Sequence, residues 1–212
     1  MIGAKSDTRF ELHGGHPALD FVNSLDNRFL KDGALELLAD YSDLLGFMQQ
    51  THLLGRQHVR LLTKAASQGA GAGALQSARE LREAAASAFY GSLGGHCPSP
   101  ADVRTLERHF IGASQHRELR WKRSPTASHE PSAAAWDWGR FRTEAELPVW
   151  ILAQATSELM MSDKLHRVRE CGVETCRWLF LDTSKNHTRR WCNMKVCGNR
   201  VKARRFQARM KE

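Results

Sequence analysis

The stretch Cys171 to Cys197, CGVETCRWLFLDTSKNHTRRWCNMKVC, holds four of the chain's five cysteines in the pattern C-x4-C-x15-C-x4-C. Each close pair can fold into a tight loop that presents both sulfurs to one ion. The span between them is short enough for two such loops to meet without a core of their own. Zn²⁺ in a structural site takes a closed tetrahedral set of thiolates, so Cys171, Cys176, Cys192 and Cys197 are read as the ligands of one zinc. Two disulfides or four scattered thiols are the alternatives, and neither suits a cytoplasmic chain with such basic flanks. His187 is a possible substitute donor, although four thiolates already close the shell. Cys97, between His96 and Pro98, reads as a lone thiol.

Between the cysteine pairs, Arg177 to Leu181 is an apolar run suited to a strand, and Asp182 to Asn186 is turn-forming. Beyond Cys197 the sequence Gly198 to Met210 lacks a breaker after Gly198 and is predicted to be helical. Ala203, Phe206 and Met210 recur at helical spacing and are expected to pack inward. From Lys164 onward the chain carries 14 Lys and Arg against four Asp and Glu, a net of +10, leaving 17 against 19 for residues 1–163. Four thiolates and one Zn²⁺ lower the tail only to +8, counted from those same residues. A positive field this dense favours phosphate, and Arg189, Arg190, Arg200, Lys202, Arg204, Arg205 and Arg209 are the candidate nucleic-acid contacts. A solvated basic face is the plain alternative.

The 212 residues leave room for an ordinary domain ahead of this tail, and 42% apolar content is enough for a core. Pro17 can open a short helix through Leu25. Asp40, with Asp43 in the first turn, can cap a second through Met48. Gly55 to Ala66 reads as a third, and Ala74 to Leu93 as a long fourth, with the Gly/Ala run Gln68 to Ala74 as a flexible connection before it. Ser99-Pro100-Ala101-Asp102 opens a fifth helix to about Gly112. His116 to Arg123 and Ala133 to Gly139 are predicted to form an antiparallel pair, and Pro148 to open the last large helix. The fold class is therefore mainly α with a small antiparallel β element. A helical body over 1–163 precedes a zinc finger of β-hairpin and helix over 164–212. The body has its own apolar helices and is expected to fold without the finger. No apolar run approaches bilayer length and Met1 to Gly15 lacks a signal-peptide core, so a cytoplasmic location is expected.

The tail resembles the CGNR zinc finger through Cys197-Gly198-Asn199-Arg200, Cys171, Cys176, Trp178-Leu179-Phe180, Asp182, Arg189-Arg190-Trp191-Cys192 and Lys202. Leu19-Asp20-Phe21-Val22-Asn23-Ser24-Leu25 and Tyr41-Ser42-Asp43-Leu44-Leu45 are similar to the ABATE domain that usually precedes that finger, with Ser24 where Thr is usual. The resemblance implies a stress-induced transcription regulator whose front domain senses a ligand and whose finger binds DNA. RNA or a protein partner are the alternatives for the finger. A regulator reading a two-fold symmetric site would act as a homodimer.

For a small-molecule effector the chosen residues are Asp20 and Asn23, short, polar and one turn apart, together with Arg82. The competing reading of Asp20 and Asn23 is a solvent-facing stripe. His13, His16, Asp20 and Arg82 make no nucleophile, base and orienter set, and a closed zinc shell has no position for water, so no enzyme is expected.

Overall fold

The computed structural model describes residues 10–31, 33–66, 69–122 and 133–210, with the side chains of Lys122, Ala133 and Arg205 outside the description. Helix α1 spans Pro17–Val22, and a two-residue hairpin follows, β1 Leu25–Asp26 against β2 Leu35–Glu36. The remaining body helices are α2 Tyr41–Gln50, α3 Arg56–Ala66, α4 Ala70–Leu93, α5 Pro100–Gln115 and α6 Leu147–Met160. Strands β3 Glu118–Lys122 and β4 Ala133–Asp137 pair antiparallel between α5 and α6, as expected, with Leu119 opposite Trp136. Beyond α6, β5 Val168–Glu170 pairs antiparallel with β6 Leu179–Leu181, and α7 Asn199–Arg209 ends the described chain.

Local signals explain most of these boundaries. Asp40 accepts from the Asp43 amide, and the Asp43 carboxylate accepts from the Asp40 amide at 3.1 Å, a reciprocal cap that fixes the start of α2. Ser99 caps α5 in the same way through the Asp102 amide, with Pro100 at the first helical position. One connection differs from expectation, because α4 begins at Ala70 inside the Gly/Ala run. Gly71 is buried there, and a Cβ on it would stand 2.9 Å from the Tyr41 ring, so the glycine serves close helix approach.

Helices α4, α5 and α6 pack on one another, and α1 lies across α6 and α4. Five alanines of α4, Ala74, Ala78, Ala84, Ala85 and Ala86, are buried, which lets neighbouring backbones come near. Phe10 and Phe21 bracket Phe47 at ring-centre distances of 5.3 and 6.1 Å. The same core continues across the expected boundary at residue 164. Val168, Leu179 and Leu181 from the finger's strands are buried within it, while Cys171, Val173, Phe180, Cys192 and Cys197 form a second, smaller cluster behind. No helix among the described residues is long and apolar enough to cross a membrane.

Candidate metal centre and nucleic-acid interface

Strand β6 supplies the floor of the metal site, and its neighbours supply the two cysteine loops. The Cys171 amide donates to Trp178 O at 2.8 Å and the Gly172 amide to Arg190 O at 2.9 Å, which draws the loop of Cys171 and Cys176 against the segment before Cys192. At the second pair, the Asn193 side chain accepts from the amides of Lys195 and Val196 and starts a wide π-type turn, Met194–Gly198, that returns Cys197 to the centre. The four sulfurs lie within 4.8 Å of one another. Cys176 Sγ and Cys192 Sγ are 3.6 Å apart, and Cys192 Sγ and Cys197 Sγ 3.7 Å.

Tetrahedral zinc with bonds of about 2.3 Å requires sulfur separations of about 3.8 Å, so the donor set fits the ion. A disulfide would need about 2.05 Å. Hydrogen bonds from Cys176 and Cys192 bring the Cys171 thiol down to about 2, and the bond to Cys171 pushes Cys176 up to about 12. Cys192 is raised by its bonds to Cys171 and Cys176, and Cys197 by burial. One thiolate forms readily and its neighbours then resist charging, so a dication that offsets the mutual repulsion of four thiolates is the natural occupant, and its binding releases protons. Cys171, Cys176, Cys192 and Cys197 hold one structural zinc, and His187 lies outside the group.

The seven candidate nucleic-acid residues divide into two sets. Arg189 turns inward, with Nε donating to Trp191 O at 2.9 Å, Nη2 to Cys192 O, and the guanidinium 4.6 Å from the Phe180 ring centre. Its own amide donates to Asp182, a buried carboxylate that also caps Ser184 and lies below the usual range despite burial, held there by those hydrogen bonds. Arg189 therefore buttresses the second cysteine loop. Arg190 is exposed beside Trp191, and Arg200, Lys202, Arg204 and Arg209 are exposed on α7. The Arg205 side chain lies outside the described residues.

The expected inward packing of Ala203, Phe206 and Met210 is corrected. Phe206 is 65% and Met210 73% exposed, and Ala203 is exposed as well. The apolar cluster around the zinc is already closed by Val173, Phe180, Trp178 and Trp191, and from α7 only Val201 packs against it. The main packing partner of α7 is the Met194–Gly198 turn, so the helix leaves the module after its first residues.

Asp20, Asn23 and Arg82 are buried rather than solvent-facing, and each is engaged with the protein. Asn23 faces β6, with Nδ2 donating to Leu179 O and Oδ1 accepting from Leu179 N, both at 2.9 Å. Asp20 Oδ1 accepts from Gly14 N at 2.7 Å, and Gly14 O accepts from Leu181 N at 2.7 Å, so Asp20 braces the loop that receives the same strand. Burial pushes the Asp20 carboxyl up to about 6 against those backbone hydrogen bonds. Arg82 pairs with Glu36 at 2.6 and 2.7 Å and also reaches Ser24 and Glu83.

Further contacts bind the finger to the body. Trp178 Nε1 donates to Asp26 at 2.8 Å, Tyr90 Oη to Arg177 O at 2.8 Å, and Asn193 Nδ2 stands 2.9 Å from His13 Nε2. Along this seam, opening onto the metal site, runs a cavity of about 110 Å³ lined from the body by His13, Asp26 and Asn27 and from the finger by Trp178, Asn193, Arg200 and the zinc ligands Cys176, Cys192 and Cys197. None of its body residues was selected as an effector site from sequence. Their signal is purely spatial, since Asn193 and His13 are 180 residues apart.

The CGNR zinc finger model matches residues 167–210, and the ABATE model, described as "Putative stress-induced transcription regulator", matches residues 15–163. No curated protein matches the chain.

Proposed function

The chain belongs to the ABATE family, and on that premise we propose that it is a DNA-binding transcription regulator whose zinc module carries a duplex-binding helix and whose body senses a small molecule. The observation that carries the reading is α7. Residues Asn199–Arg209 include five Lys and Arg and no Asp or Glu. Arg200, Lys202, Arg204 and Arg209 are exposed and take no ion pair or hydrogen bond within the described residues. The zinc fixes the start of that helix, because Cys197 lies in the turn from which it springs. A helix about 10–12 Å across suits a major groove about 12 Å wide. The role of the zinc is structural, since four thiolates leave no open position.

For the effector, the seam cavity is the seat this reading favours over Asp20, Asn23 and Arg82, because an occupant there would touch both units and Arg200 at once. The test of the DNA reading is fluorescence anisotropy on duplexes at several salt concentrations. With four to six phosphate contacts, log affinity falls against log salt with a slope of about −4 to −5. Lys202→Ala or Arg209→Ala flattens it by about one unit each. Tighter binding to RNA at the same salt would move the finger to RNA. Absence of binding to any duplex or RNA at low salt would assign it to a protein partner.

A further inference from the structure

At about 100° per residue, Ala203 and Phe206 on α7 and Met210 at its helical C-cap fall within about 60° of one another, forming one apolar edge. Val201, the helix residue that packs on the zinc cluster, lies roughly 180° away, so this edge points directly out from the module. Lys202 and Arg209 lie about 80–100° to one side of the edge, and Arg200 and Arg204 about 80–120° to the other. An exposed phenylalanine and methionine between two rows of cations are poorly placed for water. Each is more than half accessible. A second copy of the helix is a poor cover for them, because two helices of this charge and no acid repel at contact distance.

Duplex DNA matches both features. Phosphates of the two strands flank the major groove on either side, and the apolar group on its floor is the thymine 5-methyl. Phe206 and Met210, four residues apart, are separated along the axis by about 6 Å, near the roughly 6.8 Å of two base-pair steps. We propose that α7 places Ala203, Phe206 and Met210 on thymine 5-methyl groups in the major groove, with its lateral cations on the phosphates of the two strands. The chain therefore distinguishes thymine from uracil. This inference rests on the DNA-binding reading above and adds to it the base that the helix recognises.

The test uses the full-length zinc-loaded chain and two alternating duplexes that differ only in the methyl, poly(dA-dT) and poly(dA-dU), at one salt concentration. Wild type should bind the thymine duplex more tightly, by roughly fourfold for one methyl contact and about fifteenfold for two. Phe206→Ala and Met210→Ala, combined, should shrink that preference severalfold, lowering affinity for poly(dA-dT) more than for poly(dA-dU), because Ala203 and the shortened side chains retain only part of the methyl contact. Both side chains are exposed, so unchanged zinc content and thermal midpoint confirm an intact fold. Equal binding of wild type to the two duplexes overturns the proposal, as does a preference that the double substitution leaves undiminished. Binding to neither duplex overturns the DNA reading itself, a result distinguishable from the loss of methyl discrimination alone.

Discussion

Replacing Asn23 by Ala should loosen the finger from a distance of 156 residues in sequence. The Asn23 side chain, 3% exposed, gives β6 what a neighbouring strand would give, an acceptor for Leu179 N–H and a donor for Leu179 C=O. Truncation leaves both backbone groups buried without that partner, at about 1–3 kcal/mol each. The expected loss is about 2–6 kcal/mol, a large share of the 5–15 kcal/mol typical of a domain. Asn23→Asp keeps the acceptor but sets a carboxylate against Leu179 O, and should be at least as damaging. Urea unfolding followed by tryptophan fluorescence measures the loss. Zinc transfer to a chromophoric chelator measures its reach, because Leu179 is three residues from Cys176. If zinc leaves through unfolding, about 2 kcal/mol accelerates transfer about thirtyfold. A loss below about 0.5 kcal/mol, the range of ordinary surface changes, or unchanged zinc transfer, would refute the idea that the body holds the metal module through β6.

Ending the chain at Asp163 removes Val168, Leu179 and Leu181 from the shared core. At about 1.5–3 kcal/mol each, their loss should leave the body without a cooperative thermal transition, and a sharp transition would restore the independent body expected from sequence. Arg189→Ala should lower stability and speed zinc release by uncapping the carbonyls of Trp191 and Cys192. Arg200→Ala should instead keep one zinc per chain by elemental analysis and weaken duplex binding by about 1–3 kcal/mol. Asp20, raised to about 6 in the fold, favours the folded state while protonated. That contribution is complete below the unfolded value near 4 and is lost as pH rises through about 6, a change of about 3 kcal/mol. Asp20→Asn removes the ionisation, so the stability difference between wild type and Asp20→Asn, measured by urea unfolding at pH 4, 5, 6 and 7, should change by that amount in that window. A flat difference would show that the carboxyl ionises over the same pH range in the fold as in the unfolded chain.

The zinc ligands were legible in the sequence because chelation by loops of four intervening residues is a local geometric matter. The same holds for the Asp40–Asp43 and Ser99–Asp102 caps, which are settled within one turn, and for the separation of charge along the chain. Asp20 and Asn23 stood out as a polar pair one turn apart, but periodicity cannot tell a polar face aimed at solvent from one aimed at a strand arriving more than 150 residues later. Only the tertiary structure brings β6 against α1 and so engages both as braces of that strand. It alone also makes the seam cavity, whose walls come from opposite ends of the chain. Helix α7 shows the complementary limit. Ala203, Phe206 and Met210 have the spacing of a buried stripe, and spacing records which residues share a face without recording what that face meets. The zinc cluster fills its small core with Val173, Phe180 and the flanking tryptophans, leaving room for Val201 alone, and that exhaustion of space turns the apolar edge of α7 outward.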